Sequence, residues 1–190
     1  ALPRAVPKRR AEFAAGRTAA RAALAGLGLA PVSLPRLPDR LPLWPPGLRG
    51  SIAHCDTVAV AAATRAPLSP GIDVEPDAPL PADLVEVVAS RRELAVTLPV
   101  NVTRLVFAAK EAAFKAQFPL TRAWLDFTDL TVMLAPDGGF TARLNRDAGG
   151  SGHTHAIRTL ARNRTITGWW RAAGGLIVAA AAVPVAEGAA

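Results

Sequence analysis

Three short stretches carry most of the residues that could do chemistry. In GIDVEP, 71–76, Asp73 and Glu75 stand one residue apart in an apolar run that Pro76 ends. In a strand, side chains at i and i+2 share a face, roughly 6.6 Å apart, so the two acids project together. Two carboxylates on one face repel, and depleting water makes the repulsion worse. A divalent cation relieves it. Oxygen-only donors with no His or Cys beside them suit Mg²⁺, Mn²⁺ or Ca²⁺ rather than zinc. The solvated face of an ordinary strand reads the same way, so this pair alone does not decide.

The second stretch is FAAKEAAFKA, 107–116, which holds Lys110 and Lys115, two of the three lysines in the chain, with Glu111 between them. Glu111 and Lys115 are four apart, the favourable orientation for a helical ion pair. That pairing is the plain reading. The functional one makes Glu111 a third carboxylate of a metal site and the lysines point charges for phosphate oxygens. The third stretch is GSIAHC, 50–55, where His54 follows a glycine and a serine. His153 and His155 flank a glycine-rich loop and are weak metal candidates. Together these pieces describe an acidic cage with lysines and a histidine beside it. That suits a ligand bearing several phosphates whose oxygens a metal bridges.

The elements that must position these residues are legible in outline. Lys8 to Leu27 reads as an alanine-rich helix stopped by Gly26 and Gly28. Arg10, Arg17 and Arg21 fall near one face of it, with Arg9 about 100° round from Arg10; that face is either solvated or anion-binding. Residues 31 to 50 are proline-rich and read as an extended connector. Gly50 to Ala63 reads as one strand and Gly71 to Val74 as a second, antiparallel to the first. Pro79 to Val96 reads as a helix. Asn101 or Thr103 caps the next helix, which must end before Pro119. Leu125 to Leu134 and Phe140 to Asn145 pair across the turn at 136–139, residues 147 to 152 form a loop, and Ile166 to Arg171 pairs with Leu176 to Val183. The sum is α+β, with helices packed on mostly antiparallel strands and room for a pseudo-repeat.

The totals bound the function. The chain has 190 residues, a net charge of +7 and 19 arginines to 3 lysines. That length suits one domain, or two small lobes sharing a core. A basic balance favours polyanionic partners. There is no basic run, zinc-finger spacing or aromatic RNA-binding motif, which argues against nucleic acid. Cys55 is the single cysteine, so no internal disulfide forms, as in a reducing cytoplasm. The apolar stretch 172–186 is too short and too interrupted to span a membrane. The chain opens without Met and without a signal-peptide pattern, and we expect it to begin inside a longer gene product.

The series WPPGLRGSIAHC, GIDVEP and FAAKEAAFKA, in that order and spacing, resembles the 4'-phosphopantetheinyl transferases. KRRAEFAAGRTAARAAL ahead of it is similar to the opening helix of the enterobactin-biosynthesis branch, which includes actinobacterial enzymes. The likeness runs from about Lys8 to Leu130. It implies two α/β lobes related by a pseudo-twofold axis within a single domain, 1–190, meeting near 77–100, with coenzyme A in the cleft. It implies transfer of the phosphopantetheine arm to a serine of an acyl or peptidyl carrier protein, with release of adenosine 3',5'-bisphosphate. By motif, Asp73, Glu75 and Glu111 would hold Mg²⁺, or Mn²⁺, against the diphosphate. Lys110 and Lys115 would sit near the transferred phosphate, and His54 would contact a phosphate of coenzyme A. Arg9, Arg17 and Arg36 would grip the nucleotide end, with Arg10 and Arg40 as alternatives to Arg9 and Arg36. Phe114 and Trp124 would line the pantetheine channel, and Glu111 is the candidate base. The expected enzyme is a cytoplasmic monomer serving an acidic carrier, with no nucleic acid or membrane involved. Two competing readings use the same residues: a metal-dependent nucleotide phosphohydrolase, and a non-catalytic basic binding module.

Overall fold

The computed structural model describes residues 6–145 and 164–185. His153, His155 and the expected loop at 147–152 lie outside them. The elements run α1 (Pro7–Gly26), β1 (Arg49–His54), β2 (Ala59–Thr64), β3 (Leu68–Pro76), α2 (Ala82–Val88), α3 (Val102–Thr121), a 3₁₀ turn (Phe127–Asp129), β4 (Leu130–Leu134), β5 (Gly139–Leu144), β6 (Thr165–Ala173) and β7 (Leu176–Pro184). The class is α+β, and every pairing between these strands is antiparallel. β1 and β2 make a ribbon, and the other five form a sheet in the order β3-β7-β6-β5-β4.

Two long helices back these sheets. α3 is apolar over Leu105, Ala108, Ala109, Ala112, Ala113 and Ala116, all fully buried, a stripe with helical spacing. The inner faces of β7 (Ile177, Ala179, Ala181, Val183) and β5 (Phe140, Ala142, Leu144) close on that stripe. Small alanines let helix and sheet approach closely, and β-branched and aromatic residues fill the remainder. α1 covers the ribbon through Ala20 and Leu24, with Leu34 and Leu48 completing a second, smaller core.

Several expectations needed correction. The strand read over 50–63 is two strands, because the chain reverses at Cys55–Val58, where the Cys55 N–H donates to the Val58 carbonyl at 2.9 Å. The valine–alanine alternation begins only at Val58, on the exit from the reversal, and the small residues before it hide the turn. β3 is longer than 71–74, and its partner is β7, the last strand described, rather than β1. The helix read over 79–96 stops at Val88. Glu93 is then turned inward to accept hydrogen bonds, and tertiary satisfaction of a buried carboxylate outweighs local helical preference. α3 is capped by the Asn101 side chain, which accepts from the Arg104 N–H at 3.1 Å. It runs through Pro119 to Thr121. Proline removes one intrahelical donor, and the end is instead held by side chains. Thr121 donates to Gln117, the Gln117 amide donates to Ala123 O, and the Ala123 N–H donates to Thr121. Finally, only Leu130–Leu134 of the stretch 125–134 is strand; the 3₁₀ turn precedes it.

Candidate functional site

Gly71 sets the spacing of the site. A Cβ built there would lie 1.9 Å from the Ala112 carbonyl oxygen and 2.5 Å from the Ala116 nitrogen. Only glycine lets α3 lie so close to β3. Two residues on, the same strand face presents Asp73, 4% exposed, and then Glu75. Opposite them α3 presents Arg104, Glu111 and Lys115, spaced by seven and four residues and therefore on one side of the helix. Lys115 Nζ stands 2.5 Å from Asp73 Oδ1 and 3.7 Å from Glu111 Oε2. One ammonium thus bridges a strand carboxylate and a helix carboxylate. Arg104 Nη1 holds Glu75 Oε2 at 2.9 Å, while its Nε donates to the Ala78 carbonyl and its Nη2 to the Pro79 carbonyl.

Each carboxylate of the expected cage is therefore met by a side-chain cation, and Asp73 Oδ2 is buried without a hydrogen-bond partner. Burial pushes Asp73 up to about 7, against the pull of Lys115, with Glu111 and Glu75 adding to the rise. Burial likewise raises Glu75, while Arg104 opposes. Such a group is poised to exchange its proton for another positive charge. Among the described residues, no three His, Cys, Asp or Glu side chains stand close enough to be a metal cluster as placed. The donor chemistry nonetheless fits a hard divalent ion: three carboxylates, oxygen only, with one oxygen unsatisfied.

The structure does not bring Lys110 to this group. It lies one position from Glu111, hence about 100° round the helix. It is 3% exposed, and its ammonium donates to Val88 O at 2.7 Å and Phe127 O at 2.9 Å and pairs with Glu93 Oε1 at 2.9 Å. Three donors meet three acceptors, which leaves none for a phosphate. Burial lowers Lys110 while Glu93 opposes. Burial alone would raise Glu93, but the Val132 and Ser90 donors and Lys110 hold it below its usual range.

A cleft of about 310 Å³ opens between α1, the connector and α3. From α1 it is lined by Arg9, Glu12, Phe13 and Arg17, positions i, i+3, i+4 and i+8 of one face. Arg9, and not Arg10, is on that face. Arg9 Nη1 lies 3.1 Å from His54 Nε2 and 3.1 Å from Glu12 Oε2. Arg17 is nearly buried, donates to Leu34 O at 2.6 Å and lies over the Phe13 ring. Burial, then Arg21 and Arg36, weaken its hold on its proton. Arg36 and Arg40 both line the cleft from the connector, and Lys115 lines it from α3. Phe114 and Trp124 meet edge to face with centroids 5.2 Å apart. They lie between this cleft and a second cavity of about 210 Å³ that Glu111 lines.

Sequence reasoning missed Arg104, Glu12 and Glu93. Arg104 had a signal: it precedes Glu111 by seven residues, two helical turns on the same face. Glu12 shares the α1 face with Arg9 in the same way. Glu93 had none, since its partners come from elements distant in the chain.

A family model described as the 4'-phosphopantetheinyl transferase N-terminal domain matches residues 1–64. One described as the 4'-phosphopantetheinyl transferase superfamily matches 69–167. The chain is 44% identical over 202 residues to 4'-phosphopantetheinyl transferase Svp of Streptomyces mobaraensis, covering 98% of this chain and 77% of that protein. It is 39% identical over 150 residues to 4'-phosphopantetheinyl transferase PptT of Mycobacterium tuberculosis, covering 75% of this chain and 66% of the relative. Enterobactin synthase component D of Salmonella typhimurium is 41% identical over 119 residues, covering 57% of this chain and 48% of that protein.

Proposed function

This chain belongs to the 4'-phosphopantetheinyl transferase superfamily, and on that premise we propose that it moves the phosphopantetheine arm of coenzyme A onto a serine of an acyl or peptidyl carrier protein. The observation that carries the reading is the cation-lined cleft whose Lys115 wall holds the buried Asp73. Arg9, Arg17, Arg36, Arg40 and His54 supply positive and hydrogen-bonding groups for the nucleotide phosphates. Phe114 and Trp124 supply an apolar path for the pantetheine.

In the reaction the serine Oγ forms a bond to the phosphorus that carries pantetheine. The diphosphate P–O bond on that side breaks, and adenosine 3',5'-bisphosphate leaves. The serine proton must pass to a base, and Glu111, part-exposed beside the Phe114–Trp124 pair, is our candidate. Lys115 offsets charge on the phosphate under attack. A divalent ion, Mg²⁺ by preference with Mn²⁺ as substitute, would be held by Asp73, Glu75 and Glu111. When bound it would neutralise charge on the diphosphate. Lys110 is left out of the phosphate contacts: its bonds to Glu93, Val88 and Phe127 make it a positioning residue for the helix turn that carries Glu111.

We extend the proposal to two pseudo-twofold lobes in one domain. Each would present a long helix, α1 or α3, on antiparallel strands. The expected meeting zone near 77–100 carries α2 and the Glu93 turn. A monomer in the cytoplasm and an acidic carrier complete the reading; no helix of the described residues is long and apolar enough to cross a membrane. The test is release of adenosine 3',5'-bisphosphate from coenzyme A. It should require both a divalent cation and an apo-carrier. Release at the same rate without the carrier would identify a phosphohydrolase instead.

A further inference from the structure

We propose that Asp39 and Arg122 form a latch that positions the arginine-bearing hairpin 36–42 over the cleft, so that these two residues set the affinity for the nucleotide end of coenzyme A. The proposal rests on the transferase reading for its ligand, but the latch itself is read from geometry.

The hairpin is a tight unit. Arg36 and Pro42 form an antiparallel bridge. The Leu37 N–H donates to Leu41 O at 2.8 Å, and the Arg40 N–H to Leu37 O at 2.9 Å. Asp39 Oδ1 accepts from the Leu41 N–H at 3.2 Å, fixing the turn from within. Its other oxygen, Oδ2, meets Arg122 Nη1 at 2.9 Å. Arg122 is the C-cap of α3. The pair therefore ties the connector across the cleft to the far end of the helix that carries Glu111 and Lys115.

Leu37, Leu41 and Pro42 of the hairpin are half-buried, and the latch is the ion pair that adds to their packing. The buried anchors Leu34 and Leu48 lie outside the hairpin, and Arg36, Pro38, Asp39 and Arg40 are exposed. Among the described residues, neither Arg36 nor Arg40 is paired with a carboxylate. Both line the cleft, so the placement of the tip is the placement of two cations.

Backbone conformation gives an independent sign. Among the described residues three non-glycines have positive φ, and two of them are Arg40, at 73°, and Arg122, at 58°. A side chain with a Cβ is disfavoured there, and glycine is the usual residue after a helix. Strained positions of this kind collect where function needs a particular side chain. Here one such residue is half of the latch and the other is its cargo.

The pair is partly exposed, so its effect is modest and screened by salt. Arg122→Gly should raise KM for coenzyme A about two- to fivefold, the range an exposed ion pair supports. It should leave kcat unchanged, and the thermal midpoint should hold or rise because glycine suits the backbone. Arg122→Lys keeps the charge and should stay near the wild-type KM. Arg122→Gln should add nothing in an Asp39→Asn background. Hydrogen exchange at the amides of Leu37, Arg40 and Leu41 should quicken in Arg122→Gly and not in Arg122→Lys, a readout independent of activity. Unchanged exchange in Arg122→Gly would overturn the latch, and so would a KM shift equal in the Gly and Lys variants. If the wild-type protein turned over no coenzyme A, the transferase reading would fail, and the exchange result would still decide the latch.

Discussion

Lys115 Nζ lies 2.5 Å from Asp73 Oδ1, tying α3 to β3 through a carboxylate that is 4% exposed. Asp73 and Lys115 are 42 residues apart in sequence, and Gly71 is the residue that lets their elements meet. Lys115→Ala should reduce transfer about 100-fold or more, the usual cost of removing a preorganised charge from a reacting phosphoryl or acyl group. Glu111→Gln should be at least as severe, since it removes both a proposed metal donor and the candidate base. Circular dichroism should show both variants folded. Steady-state kinetics near wild type for either would contradict their assigned roles.

The raised Asp73 predicts the pH dependence of stability without metal. An unfolded Asp titrates near 3.8, and Asp73 in the fold near 7. Between those values the native state holds a proton that the unfolded chain has lost. Asp73 therefore contributes stability at low pH that is lost as pH rises through about 7. Denaturant melts of wild type minus Asp73→Asn should show that fall, and saturating Mg²⁺ should suppress it. A difference that is flat over pH 4–7 would mean Asp73 is not raised.

Gly71→Ala forces a methyl group into backbone at 1.9 Å. Helix and strand must separate, at a cost of about 1–3 kcal/mol or more. Urea melts should register it, and Mg²⁺ affinity should fall with it, because Asp73 and Glu111 move apart together.

Lys110 and Lys115 should behave differently despite their shared motif. Lys110→Ala strands Glu93 as a buried charge, and breaking such a pair costs about 3–5 kcal/mol. Loss of activity should then follow loss of folded protein. At low temperature, the folded fraction should keep much of its kcat. A folded Lys110→Ala with kcat as low as that of Lys115→Ala would restore the phosphate role to Lys110.

The net charge of +7 favours encounter with an acidic carrier. Raising ionic strength should lower kcat/KM for the carrier more than kcat. Insensitivity to salt would exclude charge steering.

How much of this was legible in the sequence depended on whether partners were local. Asp73 and Glu75 share a strand face, and Glu111 and Lys115 a helix face, because the periods of 2 and 3.6 fix them. That Asp73 faces Lys115 is a tertiary fact that neither period carries; the sequence pairs Lys115 with Glu111. The Lys110–Glu93 pair could not be read, because it joins α3 to a turn that the helical pattern of 79–96 concealed. The reversal at Cys55–Val58 was hidden by small residues that suit a strand and a turn alike. Arg9 rather than Arg10 lines the cleft, and the alanines of α1 leave that face ambiguous in the sequence.

The most direct measurement is the mass of an apo-carrier protein after incubation with this protein, coenzyme A and Mg²⁺. A gain of one phosphopantetheine group on the acceptor serine, absent with Glu111→Gln and absent without the metal, is the predicted result. A carrier of unchanged mass, with coenzyme A intact or simply hydrolysed, would contradict the proposed transfer.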